Sequence, residues 1–169
     1  MTQAQRPPLD ELAKQFLTDL KLQIKTHGHQ LISYADPMPI TYSVGLYPQH
    51  GIELIIIGLR VEFAAQVLNS VADALASAET GKSVSFDPVK TPVENQIVVD
   101  VPDSRFSNLP VLFKHCNPEK LDERAGLITT VWKLQVPVLQ IVMPDADGIF
   151  PHQPGFNHLY MDPRQPLLY

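Results

Sequence analysis

Four side chains in this sequence are of the types that general acid–base chemistry uses: Tyr42, His50, Glu53 and Asp145. A phenol, an imidazole and two carboxylates within hydrogen-bond reach of one another can move a proton to and from a bound substrate. Three of them, with Tyr47, fall in residues 40–59, I-T-Y-S-V-G-L-Y-P-Q-H-G-I-E-L-I-I-I-G-L. Glu53 opens the apolar block Leu54–Ile57, and Asp145 follows a second block that ends at Met143. If those blocks are neighbouring strands, the two carboxylates are expected in one cleft with Tyr42 and His50. The same positions also suit carboxylates that cap backbone amides at turns, and both roles stay open at this level.

Other chemistries have less support. His27 and His29 stand two apart, a spacing that shares a face on a strand and could hold a metal with His50 or Glu53. No spacing commits a third ligand, so no metal and no cofactor are expected. Cys116 is the only cysteine, which excludes an internal disulfide and a Cys-rich zinc site. It follows His115 directly, and adjacent strand residues face opposite ways, so a buried structural thiol is expected. Ser43 lacks the G-x-S-x-G surroundings of a nucleophile elbow. Gly45, Gly51 and Gly58 form no phosphate-cradling loop before a helix. Pro144-Asp145-Ala146-Asp147-Gly148 lacks the further oxygen ligands of a calcium loop and reads as a turn.

The elements that must position these groups follow from periodicity. Leu9, Leu12, Ala13, Phe16, Leu20 and Ile24 recur at helical spacing, predicting a helix with one buried stripe that Gly28 stops. Strands are expected at His29–Ala35, Ile40–Val44 and Glu53–Ile57. They are too close in sequence for crossover helices, which favours antiparallel neighbours. A second helix spans Val61–Ser77 and is closed by Gly81. Short strands follow at Ser83–Phe86, Ile97–Val101 and Leu109–His115. Asn117 and Pro118 can start a third helix that runs to Leu134. Val136–Met143 is a last buried strand, and Ala146–Tyr169, rich in Pro, should wrap the surface. Met1–Pro8 reads as a loose arm. The expectation is a single α+β domain over residues 1–169, with a mainly antiparallel or mixed sheet of five to six strands and two to three helices packed on it.

Composition narrows the class. At 169 residues, 44% hydrophobic and 18% charged, the chain can bury a full core without staples. A net charge of −5 with scattered Lys and Arg gives no footprint for nucleic acid. No apolar run is long enough for a membrane span and no signal-peptide core opens the chain, so a cytoplasmic location is expected.

Taken together, H-G-H-Q-L-I, I-T-Y-S-V-G-L, H-G-I-E-L-I-I-I-G-L and V-L-Q-I-V-M-P-D-A-D-G-I-F-P resemble a bacterial family, domain-of-unknown-function family forty-two sixty-two. The resemblance covers roughly Thr26–Pro151. His27, Tyr42, Gly45, His50, Glu53, Gln140, Asp145 and Gly148 match its motifs. His29, Ser43, Ile52 and His152 stand where the family carries Trp, Thr, Pro and Trp. The two missing tryptophans weaken any shared aromatic platform, and a family Trp at position 29 argues against His29 as a ligand. The resemblance implies a bacterial, single-domain, soluble protein and brings no activity with it.

The sequence therefore supports a non-enzymatic binding or interaction module of accessory or immunity type, acting on a protein or small-molecule partner. Its expected binding residues are His27, Tyr42, Tyr47, His50, Glu53, Gln140, Asp145 and His152. Loops Gly45–Glu53 and Pro144–His152 would form the surface, and a homodimer is compatible with it. The alternative is a small hydrolase or transferase using Tyr42, His50, Glu53 and Asp145.

Overall fold

In a computed structural model, residues 9–35, 38–79, 96–101 and 108–157 are described. Helix α1 (Leu9–His27) opens with Asp10 and Glu11 and closes with Lys25 and His27, charges that complement its dipole. Gly28 ends it at φ 86°, its amide donating to the Ile24 carbonyl at 2.8 Å. Strands β1 (Gln30–Tyr34), β2 (Ile40–Val44) and β3 (Glu53–Ile57) follow, with a one-turn helix α2 (Tyr47–His50) between the last two. Helix α3 (Val61–Glu79), strands β4 (Gln96–Val99) and β5 (Leu109–His115), helix α4 (Pro118–Trp132) and strand β6 (Val138–Val142) complete the order.

The strands form one six-stranded sheet in the order β1-β2-β3-β6-β5-β4. Four of its pairings are antiparallel, as the close spacing of the first three strands requires. The exception is central: β3 and β6 run parallel, with Glu53 beside Val138 and Ile55 beside Gln140. The fold is the expected α+β arrangement around a mixed sheet.

Both strands of the parallel pair are buried on both faces, as solid apolar runs demand. Leu54, Ile56, Leu139 and Ile141 point to α3, meeting Val67, Leu68 and Val71. Tyr42, Ile55, Ile57 and Val138 point the other way, to Leu20 of α1 and Leu121, Ala125 and Ile128 of α4. All eight core positions expected in these two strands are buried: Leu54, Ile55, Ile56, Ile57, Val138, Leu139, Ile141 and Val142.

Several expectations change in detail. The stripe of α1 is buried only in its second half: Leu20 is covered, whereas Leu12 and Phe16 are 42% and 49% exposed. The first turns are left exposed by the tertiary placement of the helix, which periodicity alone cannot register. Residues 45–51, expected as loop, hold the single turn α2. Strand β6 is shorter than expected because Pro137 has no amide for the ladder. Helix α4 starts as expected, Asn117 Oδ1 accepting from the Glu119 amide at 2.9 Å. It kinks at Ala125 (φ −139°, ψ 35°), beside Gly126, and ends at Trp132 rather than Leu134. Of the proline-rich tail, Phe150 is buried in a small cluster with Leu112 and Val142. The arm Met1–Pro8, the strand at Ser83–Phe86, Gly81 and residues 158–169 lie outside the described residues.

Candidate functional site

Glu53 is fully buried at the start of β3, and each of its oxygens is occupied. Its Oε1 accepts from the Gly45 amide at 2.8 Å, the Tyr47 amide at 3.2 Å and the Trp132 indole Nε1–H at 3.0 Å. Its Oε2 accepts from the Ser43 hydroxyl at 2.6 Å and the Leu46 amide at 3.3 Å. The Ser43 oxygen accepts in turn from the Leu54 amide at 2.9 Å. A buried carboxylate is costly unless paired and hydrogen-bonded, and here five donors supply the compensation.

Local sequence explains the donors. Leu46 stands at the N-cap of α2 and has no side-chain cap to offer, so the first amides of that turn need an acceptor from elsewhere. Glu53 supplies it, six to eight residues further on. Gly45 sits at φ +127°, and a Cβ there would lie 2.7 Å from both the Gly28 carbonyl oxygen and His29 Cα. Only glycine lets the α1–β1 turn approach this closely. One end of the sheet is thereby locked by Ser43, Gly45, Glu53 and Trp132.

Tyr47 and Trp132 form a half-buried aromatic pair at the same end, with ring centroids 6.0 Å apart and planes tilted by 52°. His50, half-buried, closes α2 beside them. His27 is exposed at the end of α1, one residue before the turn that meets Gly45.

The other expected residues lie elsewhere. Tyr42 is fully buried in β2, its ring 6.2 Å from that of Tyr34 and its hydroxyl 3.5 Å from the Tyr34 hydroxyl. Burial, then the Tyr34 hydroxyl, push its phenol well above the usual tyrosine range. It keeps its proton and cannot serve as a base near neutral pH. Gln140 is fully buried in β6, across from Ile55 on one side and Lys114 on the other. His152 is exposed and stacks on Phe150, with centroids 6.2 Å apart.

Asp145 does not join Glu53, which corrects the expectation of a shared cleft. The parallel register places Glu53 beside Val138, where β6 begins, and Asp145 stands three residues past Val142, where β6 ends. Strand β6 alone holds the two levels about 13 Å apart, at about 3.3 Å per residue. Parallel neighbours put the start of one strand beside the start of the other; the expectation needed antiparallel ones. Asp145 instead organises its own turn. Its Oδ1 accepts from the Asp147 and Ile149 amides at 3.0 and 2.9 Å, and its Oδ2 from the Asn157 amide at 2.7 Å. The Asn157 bond, against an opposing effect of burial, leads in holding this carboxyl below its ordinary range, with the bonds from Ile149 and Asp147 adding to it. The oxygens that a calcium ion would need are taken by backbone amides.

Cys116, expected to be buried, is half-buried; burial pushes its thiol up to about 12, against an opposing backbone hydrogen bond at Gln140. His29 Nε2 lies 3.1 Å from Asn69 Oδ1, a contact that ties the α1–β1 turn to α3. Among the described residues no group of three His, Cys, Asp or Glu side chains is disposed to hold a metal ion, and no helix is long and apolar enough to cross a membrane.

Sequence reasoning missed Ser43 and Trp132 as partners of Glu53. Ser43 carried a readable signal, a hydroxyl on a strand ten residues from a buried acid. Trp132 carried none, since it is 79 residues away and fits its helix as an ordinary apolar position.

With the geometry established, comparisons add one finding. A family model described as Domain of unknown function (DUF4262) matches residues 23–157, a span that contains every residue discussed above as a candidate. No curated protein and no solved structure matches the chain.

Proposed function

The chain belongs to the DUF4262 family, a domain of unknown function, and we propose that it is a non-enzymatic binding or interaction module. The observation that supports this reading is the state of Glu53: both oxygens are fully engaged by five donors, four of them from the α2 turn and its approach. A general base needs a free lone pair aimed at a substrate proton. Tyr42 is buried with its proton held, and Asp145 is spent on three backbone amides at the far end of the sheet. Of the groups in the alternative reading, the two carboxylates are engaged by hydrogen-bond donors, and Asp145 stands apart from Glu53 and His50.

The binding surface in this proposal is the Glu53 end, where Tyr47 and Trp132 stand half-buried beside His50. Aromatic side chains held by a rigid hydrogen-bonded base give contact area at low entropic cost and are enriched at interface centres. The partner is a protein or small molecule, and the sequence resemblance implies a bacterial setting.

The test has two arms. A photo-crosslinking group at exposed Gln49, on α2, is expected to capture a partner whose affinity then falls when Tyr47 is changed to Ala in a protein that still melts normally. The second arm assays ester, amide and phosphate-ester hydrolysis. Turnover by the parent chain that disappears in Tyr42→Phe or His50→Gln, with folding intact, would overturn the proposal in favour of the enzyme.

A further inference from the structure

Among the described residues no strand pairs with the outer edge of β1, and hydrogen-bond alternation shows which of its backbone groups face outward. The Gly58 amide donates to the Pro39 carbonyl at 2.8 Å, so positions 39 and 58 are a bonded pair between β2 and β3. In an antiparallel ladder bonding sides alternate along a strand. Thr41 and Ser43 therefore bond towards β3, while Ile40, Tyr42 and Val44 bond towards their partners Tyr34, Ile32 and Gln30 in β1. Leu31 and Ser33 are left with their backbone amides and carbonyls turned outward, along the edge of the sheet.

Natural edges are usually blunted by charge, proline or a bulge. Gln30–Tyr34, Q-L-I-S-Y, contains no charged residue and no proline, and its five residues pair with β2 in unbroken register. Helix α1 lies against β1 and leaves large apolar side chains exposed in its first half. Leu12 and Phe16 lie four residues apart on one flank of the helix, exposed like Tyr34 at the end of β1. A return from Gly28 at about 3.3 Å per strand residue brings Tyr34 level with Phe16, at about 1.5 Å per helix residue.

The geometry points to a homodimer in which β1 pairs antiparallel with β1 of a second copy, Leu12 and Phe16 of the two α1 helices packing over the joint. The choice of occupant rests on charge. The chain carries a net −5, which opposes self-association in general, and this edge sets no charged strand residue against an identical copy. A two-fold axis near Ser33 sets that residue against its own copy and makes the two α1 helices antiparallel. The Asp10–Glu11 end of each then approaches the Lys25–His27 end of the other, which also opposes their dipoles favourably. This inference is independent of the binding surface at Tyr47 and Trp132, which lies at the other end of β2.

Sedimentation equilibrium over a dilution series is expected to give twice the chain mass, reverting to one chain in Leu12→Lys/Phe16→Lys with an unchanged circular dichroism spectrum. Amide exchange supplies a readout that needs no variant: the outward amides of Leu31 and Ser33 should be protected as well as the inward amide of Ile32, and should lose that protection on dilution. A monomer at every concentration overturns the proposal. So does a dimer that survives the double substitution with the Leu31 and Ser33 amides exchanging freely.

Discussion

The indole of Trp132 donates to the carboxylate of Glu53 at 3.0 Å across 79 residues of chain, joining the end of α4 to the start of the central strand. Tyr47 is bound twice to this centre, by its amide to Glu53 and by its ring to Trp132. Of the two roles open to Glu53 from the sequence, proton chemistry or capping a turn, the hydrogen bonds support the second, and its replacement is a test of structure.

Glu53→Ala leaves five donors without their acceptor, three of them in buried contacts and two, from Tyr47 and Trp132, in half-buried ones. The expected loss is about 3 kcal/mol or more, since each buried group left unsatisfied costs on the order of 1–3 kcal/mol and some will find water. Glu53→Gln should fall between, because its amide group presents hydrogens to donors it cannot accept from. Urea denaturation midpoints of the three proteins measure the order.

Gly45→Ala forces a side chain into a positive-φ position whose nearest neighbours, at 2.7 Å, are backbone atoms of Gly28 and His29. Strain and overpacking together should cost about 2–4 kcal/mol. A melting temperature equal to that of the parent would show that the α1–β1 turn can move away.

Ile56 is 1% exposed between β3 and α3. Ile56→Ala should lower stability by about 2–5 kcal/mol through lost transfer energy and the cavity left behind. An unchanged denaturant midpoint would contradict its place in the core.

Asp145 has its folded-state carboxyl held below the ordinary value of 3.8, chiefly by the Asn157 amide. A depressed folded value adds stability above the unfolded value and loses it as pH falls through the folded one. Asp145→Asn should therefore be less stable than the parent at neutral pH, and the gap should close as pH drops below about 4. Thermal melts of both proteins from neutral to acid pH display the convergence; a gap constant with pH would refute it.

Cys116, with its thiol near 12, should resist iodoacetamide in the native protein at mildly alkaline pH. The thiolate is the reactive species, and at pH 8 only about one molecule in ten thousand would carry it. Mass spectrometry of trapped protein, native and in denaturant, should show alkylation only after unfolding.

What was legible in the sequence was whatever local pattern encodes. The apolar blocks Leu54–Ile57 and Val136–Met143 named the centre of the sheet, where β3 and β6 lie, and Gly28 and Asn117 marked helix ends where they fall. What was not legible depends on relations between distant segments. Whether β3 and β6 run parallel or antiparallel leaves no mark on either strand, yet it decides whether Glu53 and Asp145 meet. The burial of Glu53 was likewise hidden, because an acid beside an apolar block looks the same whether solvent or Trp132 faces it. For α1, periodicity reported an apolar stripe and could not say that its first half, with Leu12 and Phe16, is left exposed.

The parallel contact also orders events in time. β1, β2 and β3 can zip together with α3 through short-range turns, and β4 with β5 likewise, but β3 meets β6 only after the intervening chain has closed a loop of some eighty residues. Contacts of such separation form late and slow the search. The lone tryptophan is bonded across that very seam. Its fluorescence should therefore stay silent while the two halves assemble and change in the final, rate-setting step, so that a stopped-flow trace at Trp132 clocks the union of the halves and backbone circular dichroism clocks their making.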